Sequence, residues 1–253
     1  MGKMNFGPMY VMWLRQLKRY ARSKSRMIGA LGQPLLFLIA LGFGFGPIYE
    51  KAGGGDYIQF LAPGVIAMSI LFTSMFSGIE IIWDRQFGFL KETLVAPVHR
   101  WQIMLGRTLG GATVALIQGI IVLLICFVFG FRPTHFLYLL VALPLMFLIA
   151  LLFTTLGTAI ASRLDDMQAF PLIMNFLIMP MFFLSGALFP LEGLPKGIAA
   201  VTLVNPLSYG VDSLRAVLIG SSHWGLLTDL VVLIVFLALT SIWGTYSFSK
   251  IEV

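Results

Sequence analysis

Few side chains that can do chemistry occur inside the long apolar stretches of this 253-residue chain. The polar ones in these stretches are Gln59, Glu80, Gln118 and Asn175. Glu80 is the acidic residue among them, and it lies one turn before Asp84. An ionisable group in such a stretch usually pairs with an opposite charge or takes part in proton movement. We expect Glu80 to form an ion pair with a basic group near Asp84 and Arg85, and a gating or proton-coupling role is the alternative.

The residue patterns of an enzyme are missing from the sequence. No GxxxxGK[ST] phosphate loop occurs, and Gly42, Gly44 and Gly46 lack the strand, helix start and basic residue of a phosphate site. Ser77 and Ser185 lack the glycine two places earlier that an intramembrane serine protease needs. The three histidines fall in loops or at the ends of apolar stretches, away from other metal ligands. We therefore expect no catalytic, cofactor-binding or metal site, and no ATP hydrolysis by this chain alone.

The composition indicates a chain embedded in lipid. Hydrophobic residues make up 58% of the chain and charged residues 11%, against about 25% charged in a typical soluble domain. The net charge is +6, but the basic residues lie beside apolar stretches, which favours anionic lipid over nucleic acid as their partner. The single cysteine, Cys126, lies within an apolar stretch and is expected to be a small buried side chain.

Six stretches are long and apolar enough to cross a bilayer, which takes about 20 residues. They are Ile28–Gly46, Tyr57–Trp83, Thr108–Gly130, Phe136–Ser162, Met167–Phe189 and Leu230–Phe248. Most of the 17 lysines and arginines fall on the side of the N-terminal segment. Basic residues favour the cytoplasmic side, so we expect the N-terminus inside, and an even number of spans returns the C-terminus there. The first span is expected to stay uncleaved, because it and the basic segment before it are too long for a signal peptide.

Residues 5–24 have the pattern of an amphipathic helix. Apolar and aromatic residues recur at helical spacing, while Arg15, Lys18, Arg19 and Arg22 occupy the other face. This pattern predicts a helix lying in the membrane interface, with its aromatic residues at headgroup depth and its cations toward water.

Residues 84–107 mix charges with aromatic and aliphatic side chains. Gly88 and Pro97 break this segment and predict a helix of about two turns between them. Such a helix is either a docking element for another protein or a cap on the bundle, and composition alone leaves both open.

Residues 190–223 contain a nearly span-length apolar run that Asn205-Pro206 interrupts. Asp212 and Arg215 lie in its second half, and a charge at the centre of a span costs about 2.5–3.5 kcal/mol. A seventh span would also place the C-terminus outside. We expect two short helices that enter the outer leaflet and turn back. Asp212 and Arg215 are three residues apart and can pair on one helical face.

Small residues recur at four-residue spacing in the third span. They are Gly111, Ala115 and Gly119, with Gly106 and Gly110 beside them. This spacing predicts that a neighbouring helix approaches closely.

The basic helix, the 84–107 loop and the 190–223 segment, in this order, resemble the membrane subunits of type-2 ATP-binding-cassette exporters. That group includes drug-resistance, nodulation-factor and polysaccharide permeases. The resemblance covers essentially the whole chain as one permease domain, 1–253. It is most recognisable in NPLSYGVDSLR at 205–215 and next in LKETLVAPV at 90–98. It implies an all-α membrane protein with six transmembrane helices, an N-terminal interfacial helix (5–24), a cytoplasmic coupling helix (84–107) and an outer re-entrant helix pair (190–223).

The resemblance also implies site residues and partners. The residues implied to couple to an ATPase are Arg85, Phe87, Leu90, Lys91, Glu92, Leu94 and Pro97. Those of the outer re-entrant motif are Asn205, Pro206, Tyr209, Asp212 and Arg215. ATP and Mg²⁺ would bind to two copies of a separate ABC ATPase, and a second permease chain, expected to be identical, would complete the pathway in contact with membrane lipid.

The expected function is the permease subunit of an ABC exporter in a prokaryotic cytoplasmic membrane. It would move an amphiphile, such as a drug, lipid or lipid-linked glycan, out of the cytoplasm or inner leaflet, along a dimer seam lined by spans 2 and 5. One alternative is a secondary carrier or channel, for which we find no convincing internal repeat and no coupling-ion ligands near the midplane. The other alternative is a membrane scaffold that transports nothing.

Overall fold

The chain folds into a bundle of α-helices. A computed structural model describes residues 6–95, 98–193 and 195–251, and for Leu94 it describes the backbone only. These residues include no β-strand. The helices are α1 Gly7–Arg22, α2 Lys24–Lys51, α3 Tyr57–Phe76, α4 Ile79–Gln86, α5 Phe89–Val95, α6 Arg100–Val128, α7 Leu139–Ala161, α8 Ala169–Phe183, α9 Lys196–Val204, α10 Pro206–Ile219 and α11 Leu226–Ser249. A 3₁₀ turn, Phe136–Tyr138, leads into α7.

Five of the helical segments are long and apolar enough to cross a membrane. They are α2, α3 continued by α4, α6, α7 with its preceding turn, and α11. These segments correspond to predicted spans 1, 2, 3, 4 and 6, and they confirm an all-α membrane protein. The fifth predicted span contains α8, whose 15 residues measure about 22 Å, less than the roughly 30 Å of a hydrocarbon core. The count of six spans stays a prediction.

The short helix α8 joins the two ends of the bundle. Near its start, Gln86 Nε2 at the end of α4 donates to the carbonyl of Asp165 at 3.2 Å. Beyond its last turn the chain leaves helical geometry, and Gly186 adopts a φ of 75° that favours glycine. The residues after it contact α3 and α10. We call the two ends of the bundle the α5 end and the α10 end.

Helix α3 forms the centre of the core, packing against α2, α6, α7 and α10. Its contact with α7 is so close that backbone touches backbone. A Cβ atom built on Gly157 of α7 would lie 2.9 Å from the Cα of Met75, and one built on Gly78 would meet the backbone of Gly157. Glycine at both positions is therefore what allows α3 and α7 to pack at this distance.

Helix α1 packs against α6 along its length. Trp13 Nε1 donates to Thr113 Oγ1 at 3.1 Å, and the hydroxyl of Tyr20 donates to Gln118 Oε1 at 2.5 Å. Burial raises the pKa of Tyr20, so this hydroxyl remains a donor. The predicted helix is present. Its Trp13 and Tyr20 side chains bond to α6, so they are not only anchors at headgroup level.

The prediction that the small residues of α6 allow neighbouring helices to approach closely is confirmed. Cβ atoms built on Gly106 and Gly110 would touch Met9, Met12 and Gln16 of α1. Those built on Gly111 and Gly119 would touch side chains of α3, α7 and the α3–α4 junction. The same helix therefore receives neighbours on two sides.

The two ends of the described chain lie at the α5 end of the bundle. Helix α1 packs on the first half of α6, and Arg100 Nη1 donates to the carbonyls of Ser249 at 2.5 Å and Ile251 at 3.2 Å. An even number of crossings is the arrangement that fits this geometry.

Candidate functional site

Helix α5 follows α4 after a sharp turn at the α5 end. Gly88 makes the turn with a φ of 79°, and α5 then runs for seven residues, or two turns, where Gly88 and Pro97 predicted a short helix. Pro97 itself lies outside the described residues. The predicted loop 84–107 is shorter in the structure, because α4 extends to Gln86 and α6 begins at Arg100.

The side chains of α5 divide into an anchoring side and an exposed side. Leu90 is fully buried in the core, so it holds the helix against the bundle. On the exposed side, Val95 is 85% exposed, and Lys91 and Glu92 are exposed as well. Phe87, the last residue before the Gly88 turn, is 69% exposed beside them. This exposed mixture of apolar and charged groups is typical of a surface that binds another protein.

Arg85 has a structural role at the base of this element. Its guanidinium forms an ion pair with Asp165 and donates to the carbonyls of Ser162 at 3.2 Å and Leu164 at 3.4 Å. These bonds tie the end of α4 to the connection between α7 and α8. Arg85 is therefore engaged within the chain, unlike Phe87, Lys91 and Glu92.

Two buried acidic residues on α4 collect four arginines into a charge cluster. Glu80 pairs with Arg19 at 3.1 Å and Arg26 at 3.0 Å. The members of the charge cluster are Arg15, Arg19, Arg26, Glu80, Asp84 and Arg107. The basic partners of Glu80 thus come from α1 and α2 and not from the neighbourhood of Arg85.

Asp84 is the centre of the charge cluster. It accepts from Arg15 at 2.9 Å and from Arg107 at 2.5 Å, and Arg19 lies 3.7 Å away. The side chains of Asp84 and Arg107 are only 3% and 4% exposed. The charge cluster therefore links α1, α2, α4 and α6 immediately beside α5.

The helical pattern of residues 5–24 predicted that Arg15 and Arg19 face water, and it did not reveal the charge cluster. A signal was present, because Glu80 and Asp84 are four residues apart and share one helical face, as Arg15 and Arg19 do. Which faces would meet depends on the docking of α1 on α6, and helical spacing does not reveal that docking.

The predicted helix pair at 190–223 is present as α9 and α10, broken at Asn205. The side-chain Oδ1 of Asn205 accepts from the amide of Leu207 at 3.1 Å and caps α10. Pro206 occupies the first turn of the helix, where the missing N–H costs nothing. Asn205 Nδ2 donates to the carbonyl of Met181 in α8 at 2.7 Å.

Three side chains of the 205–215 motif bond to carbonyls at the end of α8. In addition to Asn205, Ser208 Oγ donates to Leu184 O at 3.4 Å and Arg215 Nη2 donates to Gly186 O at 2.9 Å. The last carbonyls of a helix have no partner within the helix, and in a membrane they must be satisfied by protein. The motif therefore allows α8 to end early at this depth.

The remaining motif residues hold the hairpin together. The hydroxyl of Tyr209 donates to the carbonyl of Leu203 at 2.8 Å, and its ring stacks on Trp224 at 4.6 Å. The guanidinium of Arg215 lies 4.0 Å from the centre of the Phe60 ring.

The possible pair of Asp212 and Arg215 does not form a salt bridge, because each side chain has other partners. Asp212 accepts from Ser222 Oγ at 3.0 Å and from the amides of His223 at 2.9 Å and Trp224 at 3.0 Å. Helical spacing permits an Asp–Arg pair, but tertiary partners direct the two side chains apart.

An apolar groove of about 770 Å³ lies between α7, α8, α9 and α11. Its lining includes Leu156, Phe176, Met181, Val204 and Leu239. A groove of this volume and lining suits the apolar part of an amphiphile.

The other polar residues of the spans differ in their surroundings. Gln59 bonds to the carbonyl of Gly130 and the amide of Arg132 at 3.1 Å each, and Gln118 accepts from Tyr20. Both therefore have structural partners. Asn175 is exposed on α8, next to the exposed Phe176 and Ile173.

The sequence of this chain is similar to a known protein family and to several of its relatives. Residues 8–219 match the family described as ABC-2 type transporter. Nodulation protein J of Rhizobium meliloti (strain 1021) is 32% identical over 79% of this chain and 77% of its own length. Nodulation protein J of Rhizobium leguminosarum bv. trifolii is 30% identical over 84% and 83%, and the putative transport permease ycf38 of Cyanophora paradoxa is 29% identical over 85% and 75%. With its apolar helix bundle and its helix pair broken at Asn205, the chain belongs to the ABC-2 type transporter family as a multi-pass membrane permease.

Proposed function

We propose that this permease is driven by a separate ABC ATPase that docks on α5 and that it exports an amphiphile. The observation that carries the proposal is the exposed surface around α5, where Val95 projects from a helix anchored by buried Leu90 and Phe87 projects just before the Gly88 turn. Apolar side chains of this kind are what a helix-in-groove contact uses. ATP and Mg²⁺ bind to the ATPase in this scheme, and the permease contributes the pathway.

The charge cluster provides a route from the docking helix into the membrane. Helix α5 continues from α4, which carries Glu80 and Asp84 and is tied through them to α1, α2 and α6. A displacement of α5 therefore moves several helices together. ATP drives such a change by binding the two states of the complex with different affinity.

A second permease chain, identical in the simplest case, covers the exposed side of α8 in this proposal. Asn175 is exposed in the middle of that helix among apolar side chains, and a polar group at membrane depth needs a protein or water partner. The seam would then lie beside α3 and α8, with the groove next to α8 as a candidate site for the apolar part of the cargo.

Substitution of Phe87 tests the coupling. We expect Phe87→Asp to weaken binding of the ATPase at least tenfold, because an aromatic hot-spot residue contributes about 2 kcal/mol or more to an interface. Phe87→Leu keeps the apolar contact and is the matched control. The measurement is copurification of the two subunits with the mass of the complex, which is expected to contain two copies of each.

ATPase stimulation by a panel of amphiphiles, in reconstituted vesicles, completes this test. Stimulation in the wild type and its loss in Phe87→Asp support ATP-driven transport. If no ATPase associates with the wild-type permease, the chain is a carrier, channel or scaffold, and the proposal is wrong.

Orientation is tested by labelling single cysteines with a membrane-impermeant reagent, after replacing buried Cys126. Lys196→Cys and Ser221→Cys are expected to react from outside, and Lys91→Cys and Lys250→Cys only in opened cells, because the α5 end faces the cytoplasm in this proposal. All four positions are exposed, so each should react on the side it faces. Labelling of Lys250→Cys in intact cells would contradict the topology.

A further inference from the structure

Asp229, in the first turn of α11, is a buried carboxyl group that none of the features above uses. Its side chain is 0% exposed, and neither carboxyl oxygen has a hydrogen-bond partner in the described part of the chain. A charged carboxylate in such a place is costly unless a proton or a positive group accompanies it.

The neighbour of Asp229 is Asp212 of α10, which lies within hydrogen-bonding reach. Asp212 accepts from Ser222 Oγ and from the amides of His223 and Trp224 at 2.9–3.0 Å. Both oxygens of Asp212 are therefore already occupied as acceptors. A hydrogen bond between two carboxyl groups then requires one proton, which Asp229 can supply.

Among the described residues, no salt bridge is made by either carboxyl group, although Arg215 is near enough to interact with the charge of Asp212. Lys196 of α9, which also packs on α10, is exposed. Arg215 is engaged with Gly186 and the Phe60 ring. Tyr209 faces Asp229, but its hydroxyl donates to Leu203 O, and the His223 ring lies edge-on against Trp224. Of the other helices packed on α10, α7 has no titratable residue, and the hydroxyl of Tyr57 in α3 donates to Leu188 O.

We propose that Asp212 and Asp229 together bind one proton, and that this proton clamps α10 to α11. Two carboxylates that share a site cannot both carry a charge without strong repulsion. The ligand is a proton and not a metal ion, because no group of three or more metal-binding side chains occurs among the described residues.

Loss of the proton places two negative charges between α10 and α11 and drives the helices apart. Helix α10 also holds the end of α8 through Ser208 and Arg215, so its release loosens that end as well. The proton site rests on the burial of Asp229 and on its neighbour Asp212, whereas its exposure to the external pH rests on the proposed orientation.

The test is thermal unfolding of the purified full-length permease between pH 5 and pH 9. The native chain holds a proton that the unfolded chain releases, so this contribution to stability is lost as the pH rises. Asp229→Asn retains a donor for Asp212 and cannot lose it. Between pH 5 and pH 9, the melting temperature of Asp229→Asn is expected to fall by about 3 °C less than that of the wild type. The control Glu50→Gln, at an exposed position, should behave as the wild type. An unchanged pH dependence in Asp229→Asn overturns the proposal.

A second measurement on the wild type decides the matter if Asp229→Asn does not fold. Infrared spectra at neutral pH are expected to contain a C=O band of a protonated carboxyl group that shifts in D₂O. Titration to high pH should remove this band together with the stability. Absence of the band in the folded wild type shows that no proton is held and overturns the proposal.

Discussion

Replacing Asp84 by Ala is expected to lower the stability of the folded permease by about 3–5 kcal/mol, since it leaves a buried arginine without its partner. Arg107 is 4% exposed, and Asp84 is its bonded acid at 2.5 Å. Two atoms of the Arg107 guanidinium, Nε and Nη1, already lack partners in the described chain. The measurement is thermal or denaturant unfolding of the purified protein.

The matched control for this change is Asp165→Ala. Asp165 also pairs with an arginine, Arg85, but its side chain is 84% exposed. Exposed ion pairs contribute about 0–1 kcal/mol, so this variant should remain close to the wild type. Equal losses in Asp84→Ala and Asp165→Ala would show that burial of the charge cluster is unimportant.

A double substitution separates the ion pair from simple packing. Asp84→Leu combined with Arg107→Met removes both buried charges and fills their volume, and such replacements are often neutral or stabilising. We expect the double variant to recover part of the stability that Asp84→Ala loses. It should still support less transport than the wild type, because Arg15 loses its partner and α1 stays tied to α4 only through Arg19 and Glu80. Full recovery of transport would contradict the role proposed for the charge cluster.

Replacing Gly157 by Ala is expected to destabilise the bundle by about 1–3 kcal/mol, and Gly157→Val by more. The new methyl group would lie against the backbone of Met75 in α3, and a backbone cannot rotate away as a side chain can. The usual gain of about 1 kcal/mol for alanine over glycine in a helix is too small to offset this. Unfolding temperature and the yield of folded protein from membranes are the measurements.

Gly32 in α2 is the matched control for Gly157. A Cβ atom built on Gly32 has no atom within 4 Å, so Gly32→Ala should be neutral or stabilise the helix slightly. If Gly157→Ala is equally harmless, the contact between α3 and α7 is looser than the structure indicates.

Hydropathy was sufficient to predict most helices of this fold. A stretch such as Thr108–Gly130 has so few polar groups that lipid is its only suitable solvent, and a helix satisfies its backbone without outside partners. The break at Asn205-Pro206 and the turn at Gly88 were also predictable, because proline and glycine act on the backbone locally. The fifth helix was overestimated, since the apolar residues 184–189 leave helical geometry.

The contacts between helices were not predictable in the same way. Arg15 was expected to face water, yet it bonds to Asp84. Helical spacing placed Arg215 within reach of Asp212, yet it bonds to the carbonyl of Gly186. Several acceptors lie within reach of a long arginine side chain, and sequence spacing ranks only those on its own helix. The close packing at Gly157 was missed for a related reason. Whether a helix requires glycine at a position depends on how near the opposing backbone lies, and the sequence does not show that distance.

From the sequence alone, two features were predictable: an all-α membrane protein and the breaks of its helices at Gly88 and Asn205-Pro206. Each of these follows from local backbone chemistry or from the free energy of transfer to lipid. The tertiary structure decided how the charges are used. It collects four arginines around Glu80 and Asp84 and brings Asp229 beside Asp212. It also turns Asn205, Ser208 and Arg215 toward carbonyls in and just after α8. These outcomes depend on which helices become neighbours, and buried polar groups must then take the partners that the fold places within reach.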